Sequence, residues 1–315
     1  MSRMQVRSPG LFSTVQDLGR PGFGPLGVSV SGAADFVALR TGNLLLNNPP
    51  GAAAIEMTLT GGTFSFPDGA DLALTGADFA ATLDGLPVER WQPIHAAPGQ
   101  TLRFAGTRQG ARCYLCVAGG FAADKYLGSA STHALSGLGG LEGRPLKPGD
   151  TLDFGVSTLP LPRRRIRRDV LAQLQPRKLL RVTEGPQCGW FDEDASRAFY
   201  GASYSVTEEA NRMGLRLQGP PVRIAGNRTL LTEGAPLGAI QVPESGQPII
   251  LFVEQQTTGG YPKIANVITA DMHSVGQLRP RDQVQFELVT FENALALLKE
   301  QERLLSPGNL LEELD

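Results

Sequence analysis

Three stretches of the chain spell one pattern: Pro98-Gly-Gln-Thr-Leu-Arg-Phe104, Pro148-Gly-Asp-Thr-Leu-Asp-Phe154 and Pro280-Arg-Asp-Gln-Val-Gln-Phe286. In each, a proline-led turn feeds a short run whose apolar residues alternate and so share one face of a strand. Period-two alternation also marks Thr63-Phe-Ser-Phe66, and Pro248-Ile-Ile-Leu-Phe-Val253 is a continuous apolar run suited to a buried strand. The copies recur at irregular spacing, which excludes a solenoid and points to duplicated barrel-like units.

Composition leads the same way. With 38 Gly and 23 Pro in 315 residues, many short strands and tight turns are favoured over long helices. At 41% hydrophobic and 19% charged the chain is globular, and its length fits one large domain or two of about 150 residues. Helical signals are few and short. Residues 35–46 place Phe36, Leu39 and Leu44 on nearly one face, Asp192-Glu-Asp194 puts acids at a helix start, and residues 290–305 read as a C-terminal helix stopped by Ser306-Pro-Gly308. Five Arg within 163–168, preceded by prolines, read as a linker. The expected organisation is an N-terminal half over 1–158, a Pro/Arg-rich linker over 159–175, and a C-terminal half over 176–315 that ends in the helix.

A net charge of -2, from 29 Lys and Arg against 31 Asp and Glu, argues against nucleic acid and membrane surfaces as partners. There is no stretch of about 18 apolar residues and no apolar signal-peptide core near the start, so the expected location is the cytoplasm. Three cysteines make no disulfide framework. Cys113 and Cys116 have knuckle-like spacing, but in a strand residues three apart face opposite sides, and the remaining Cys188 and three His are scattered. No metal site is expected. No Gly-Lys dipeptide occurs, which excludes the familiar phosphate loop.

The segment richest in chemistry is Gln255-Gln-Thr257-Thr258-Gly259-Gly260-Tyr261-Pro-Lys263. It follows the expected buried strand, and Lys is scarce here, with five against 24 Arg. Hydroxyls, glycines and an ammonium at such a point can surround an anion or a polarised carbonyl; the alternative is a Gly-Gly turn with a solvated lysine. Asp17 with Arg20 reads as a turn-local ion pair, Asp35 precedes the first helix, Asp78 ends Leu74-Thr-Gly-Ala-Asp78, and Asn211-Arg212 opens a polar turn.

At these residues the chain resembles a known family. TVQDLGRPG (14–22), SGAAD (31–35), LTGAD (74–78), VAGG (117–120), GLGGLEGR (137–144), NRMG (211–214) and QTTGGYPKIANVITAD (256–271) are similar to the biotin-dependent carboxyltransferase-like family. That family includes the C subunit of bacterial 5-oxoprolinase, allophanate hydrolase subunit 2 and the antagonist of the histidine-kinase inhibitor. The resemblance implies a mostly β fold of two cyclophilin-like β-barrel halves with a few short helices. It implies a subunit of an ATP-dependent, hydrolytic 5-oxoprolinase acting on a cyclic amide, with ATP and Mg on the complex. The partners implied are a smaller homologous subunit, of the 5-oxoprolinase B or kinase-inhibitor type, and possibly a third subunit. Biotin, carried on another protein, belongs to the alternative of carboxyl transfer; a third alternative is a non-catalytic antagonist. Under this resemblance Lys263, Asp35 and Asp78 are the expected catalytic residues, and Gly259, Gly260, Tyr261, Thr257, Thr258, Asn211, Arg212 and Asp17 the expected substrate-binding residues. Lys263 with the Gly259 and Gly260 amides would stabilise a ring carbonyl oxygen, and Asp35 or Asp78 would orient the ring nitrogen or act as a base.

Overall fold

In the computed structural model, residues 1–155, 160–226 and 228–314 are described. The three repeated motifs all fold as the same turn. In each, the residue after the proline has positive φ (Gly99 88°, Gly149 90°, Arg281 71°) and the next residue's N–H donates back to the carbonyl of Ala97, Lys147 or Arg279. That is a type II turn, with proline presetting its second residue and a left-handed third. The side chain of the fourth residue then reaches back to the first residue's N–H: Gln100 to Ala97 at 2.8 Å, Asp150 to Lys147 at 2.7 Å and Asp282 to Arg279 at 2.9 Å. The strands that leave these turns are Thr101–Arg103, Thr151–Phe154 and Gln283–Leu288.

The fold is mostly β, with short helices, and the chain divides into two units. The first comprises Met1–Arg20, Ser31–Leu174 and Arg303–Asp315. Its six-stranded sheet runs in the order Thr151–Phe154, Ser2–Ser8, Thr63–Ser65, Thr101–Arg103, Thr82–Leu83, Leu86–Pro87. Its five-stranded sheet runs Phe12–Gln16, Ala54–Thr58, Gln109–Val117, Ala70–Asp78, Pro93–Ala96. Met4, Phe64, Leu102 and Phe154 of the six-stranded sheet share one core with Ile55, Leu72, Cys113 and Leu115 of the five-stranded one. The five-stranded sheet's opposite face, carrying Ala54, Ala73, Tyr114 and Cys116, packs on the helix Phe36–Leu45. Cys113 and Cys116 therefore face opposite sides, as strand geometry requires, and burial pushes the Cys113 thiol up to about 12 and the Cys116 thiol higher still. The helix starts where expected, with Asp35 capping it through Ala38 N–H at 2.9 Å.

The second unit comprises Pro21–Val30 and Gln175–Glu302. Seven strands close into a barrel in the order Leu179–Glu184, Lys263–Val267, Ala239–Gln241, Ile249–Leu251, Gly214–Gln218, Tyr204–Val206, Gln283–Leu288. The pair that closes the ring, Leu179–Glu184 with Gln283–Leu288, is parallel; the other pairs are antiparallel. Phe199, on the helix Glu193–Gly201, stacks on Phe286 at 4.7 Å between ring centres.

These boundaries differ from those expected. The point between 158 and 159 lies outside the described residues. Residues 160–174 do not form a free linker: strand Arg164–Ile166 pairs with Leu311–Glu313, and helix Arg168–Gln173 follows, all within the first unit. The physical reason is that Ile166 and Val170 are buried while Arg164 donates to the carbonyls of Leu44 and Leu45, so the arginines are the polar face of an amphipathic segment. The C-terminal helix Phe291–Leu304 begins in the second unit, and the residues from Arg303 onward belong to the first.

Candidate functional site

The strand Ile249–Leu251 runs, as expected, into a buried stretch, with Phe252 fully inaccessible. The chain then leaves the barrel, and Thr258–Gly259 pairs with Glu233–Gly234 in a two-stranded ribbon. It bends at Gly260 and Tyr261 and re-enters the barrel as Lys263–Val267. A cavity of about 780 Å³ lies against this bend, lined among others by Thr207, Asn211, Gln241, Gln247, Gln256 and Tyr261. The lining is rich in carboxamides and hydroxyls. Gln241 is 2% exposed and its Nε2 has no hydrogen-bond partner among the described residues, and the Thr207 hydroxyl is likewise buried and unpartnered. A Cβ at Gly259 would stand 2.7 Å from Gln241 Nε2 and 3.0 Å from Gln256 Nε2, so glycine lets the ends of these two side chains lie close to the backbone, and a larger residue would displace them.

Of the expected binding residues, Asn211 and Tyr261 line this cavity. Asn211 accepts from the Met213 N–H at 2.8 Å, which sets the turn. Arg212 is buried and paired with buried Glu254 at 2.5 Å, and the Glu254 N–H donates to the Arg212 carbonyl, so this arginine ties the 211–214 turn to the segment leading into the bend. Thr257 accepts through its carbonyl from Ala235 N–H at 2.9 Å, and Thr258 is exposed on the ribbon.

Lys263 is 1% exposed, and its Nζ lies 2.7 Å from Glu233 Oε1. Gln187 braces the pair: its Nε2 donates to the same Glu233 oxygen at 2.8 Å, and its Oε1 accepts the Lys263 N–H at 3.0 Å. Hydrogen bonding from Lys263, with a further bond from Gln187, holds the Glu233 carboxyl below the usual glutamate range. Sequence reasoning passed over Glu233, Gln187 and Gln241. The signal it had was the scarce lysine in a strand, since such a lysine requires a counter-charge.

Asp17, Asp35 and Asp78 are in the first unit. Asp17 is not confined to a turn-local pair: its carboxylate accepts from the Ser129 and Ser131 hydroxyls and from the Gly19 and Ala130 N–H groups, because the 129–131 segment brings its donors close. Arg20 donates to the Ser131 and Tyr126 carbonyls. Asp35 caps its helix, and its N–H donates to the Tyr114 hydroxyl at 2.7 Å. Asp78 stands at a smaller cavity of about 430 Å³ with Arg90, Trp91 and Arg108, the nearest guanidinium nitrogens being 3.9 and 4.0 Å away. Among the described residues no cluster of three His, Cys, Asp or Glu is arranged for a metal, and no helix is long and apolar enough to cross a membrane.

Comparison with known proteins places this geometry in context. The carboxyltransferase domain family, subdomain A and B, matches residues 26–288. The chain is 39% identical over 300 residues to the 5-oxoprolinase C subunit of Escherichia coli strain K12, covering 95% of this chain and 96% of that protein. It is 32% identical to urea amidolyase of Saccharomyces cerevisiae, across 95% of this chain but 17% of the yeast protein. The crystal structure of Kluyveromyces lactis urea carboxylase superposes with a TM-score of 0.89 at 30% identity, covering 99% of this chain and 30% of that one. The chain thus spans less than a third of the length of these two urea enzymes.

Proposed function

The chain belongs to the carboxyltransferase domain family, and from that membership we propose that it serves as the C subunit of an ATP-dependent 5-oxoprolinase, opening 5-oxo-L-proline to L-glutamate together with partner subunits. One observation carries this reading over carboxyl transfer: the correspondence with the 5-oxoprolinase C subunit covers 95% of this chain and 96% of that protein, whereas it covers only 17% of the yeast urea amidolyase. In the reaction the ring C–N bond breaks, water supplies the new carboxyl oxygen, and the ring nitrogen leaves as the α-amino group.

The cavity beside the bend supports this assignment. At about 780 Å³ it has ample room for a small lactam acid, and its carboxamide lining suits an amide edge that must both donate and accept. The ring carbonyl oxygen gains negative charge as the ring opens, and each fixed donor at that oxygen lowers the barrier by about 3 kcal/mol. The Gly260 amide and the unpartnered Gln241 Nε2 supply such donors, the Gly259 N–H being taken by the Glu233 carbonyl across the ribbon; Tyr261 forms a wall and Asn211 part of the lining, while Thr257 and Thr258 belong to the ribbon beside it. Arg212 keeps the Asn211 turn in place, and Lys263 provides the fixed positive charge behind the bend. In the first unit, Asp17 and Asp35 hold turns and a helix start, and Asp78 is the acid a ligand in the smaller cavity would meet. ATP with Mg is a co-substrate of the assembled complex, to which this reading assigns no residue of this chain. The partner is a smaller homologous subunit, and the location is the cytoplasm.

The test is reconstitution of this chain with its partner subunits, MgATP and 5-oxo-L-proline. Glutamate and ADP should appear together, and omission of this chain should abolish both. An assembled complex that makes no glutamate overturns the reading, and a product that requires carboxybiotin replaces it with carboxyl transfer.

A further inference from the structure

We propose that Glu233 accepts the ring N–H of the cyclic amide, and that Lys263 and Gln187 are its positioning residues, so that the lysine acts on the substrate through the carboxylate. The inference rests on the 5-oxoprolinase reading and names a residue that the sequence did not.

A ligand cannot reach the Lys263 ammonium without displacing Glu233, because the lysine is 1% exposed and already 2.7 Å from that carboxylate. The Glu233 side chain, by contrast, is 40% exposed. Its two oxygens are not equivalent. Oε1 receives Lys263 Nζ and Gln187 Nε2, while none of the described residues bonds to Oε2. Gln187 is itself fixed on both sides, its Oε1 taking the Lys263 N–H and its own N–H donating to the Lys263 carbonyl at 3.2 Å. The result is a carboxylate locked in one orientation with a single oxygen presented outward.

Its place suits that task. In the ribbon register Glu233 lies directly opposite Gly259, on the face where a Gly259 Cβ would stand 2.7 Å from Gln241 Nε2, so the acceptor stands near an unpartnered side-chain donor of the cavity lining. A small lactam is locked cis, with N–H and C=O on one edge, and such an edge requires an acceptor next to a donor. An ionised carboxylate is an acceptor only, so it admits a ring N–H and repels a ring oxygen in the same position.

The experiment uses the reconstituted complex with 5-oxo-L-proline and its lactone analogue, in which oxygen replaces the ring N–H. Activity of the wild-type complex on 5-oxo-L-proline tests the underlying reading separately; once that activity is present, the variants test Glu233 alone. Glu233→Gln should lose roughly 10- to 150-fold in kcat/KM, the range of one charge-assisted hydrogen bond, mostly in KM. The preference for lactam over lactone should shrink by a similar factor. The double variant Glu233→Gln/Lys263→Met, which leaves no buried unpaired charge, should show the same loss and the same relaxed preference. Lys263→Met should move the acid limb of kcat/KM to higher pH, because Lys263 is the charged group that keeps Glu233 ionised and its other neighbour, Gln187, is neutral. A wild-type KM in the double variant, an unchanged lactone preference, or an acid limb that stays in place in Lys263→Met overturns the assignment.

Discussion

The Glu233–Lys263 pair is asymmetric, and the asymmetry makes a prediction that runs against intuition: the exposed partner should matter more to stability than the buried one. Removing one member of a fully buried ion pair costs about 3 to 5 kcal/mol, because the other is left charged and dry. Here the dry member is Lys263 at 1% exposure and the wetted one is Glu233 at 40%. Glu233→Gln strands the ammonium in the barrel wall, and since water reaches the outer side of the pair, the loss should fall at about 2 to 3 kcal/mol. Lys263→Met leaves a carboxylate that water can solvate, and methionine refills the stem volume, so the loss should stay near 1 kcal/mol. For units of this size those figures correspond to melting temperatures lower by roughly 5 to 10 °C and by about 3 °C. The double variant should melt above Glu233→Gln alone, since it removes the stranded charge. Thermal unfolding of the three variants at neutral pH, followed by circular dichroism, provides the ranking. If Lys263→Met is the most damaging, or the two single effects simply add in the double variant, then the charge is not confined as argued.

Three further outcomes are expected. Gly149→Ala should cost about 1 to 2 kcal/mol in urea unfolding: a Cβ there meets nothing within 4 Å, so the whole loss is the strain of a side chain at φ 90°. Asp150→Asn should cost about 1 to 2 kcal/mol at neutral pH, because Asp150 binds Arg144 at 2.7 and 3.0 Å and caps Lys147. Arg144 holds the Asp150 carboxyl below its ordinary value, so that stabilisation is present above the unfolded pKa of about 4 and disappears as pH falls through the depressed folded value; wild type and variant should converge in acid unfolding. Native protein should present one thiol to a mild disulfide reagent, Cys188, since burial raises the thiol pKa of Cys113 and Cys116 and hides both, and rapid reaction of three thiols would contradict the packing.

How much of this was legible in the sequence depends on the range of the interaction. Local chemistry could be read directly. The proline-led turns fold as their residues demand, the Asp35 and Asp192 caps sit where helix ends need acceptors, and Cys113 and Cys116 part to opposite faces because a strand has period two. Pairings between distant segments were not legible. The arginines after Pro162 look like a solvated spacer until Leu311–Glu313 returns to pair with them. The third turn shows its kinship in the sequence, but not that Arg281 takes the left-handed place that glycine fills in the other two.

The same limit shaped the expectation for Lys263. A scarce lysine beside glycines and hydroxyls invites a role at the ligand, but position 263 begins a barrel strand, and a cation buried there must first be neutralised. The barrel meets that need from across the ribbon, where Glu233 faces Gly259, and the geometry leaves the acid, not the lysine, open to solvent. Burying the cation therefore moves the contact with the outside to its partner. A lysine found alone in a strand that folds into a wall should be read as evidence for an unseen carboxylate, and the outward oxygen of that carboxylate is the atom to test first.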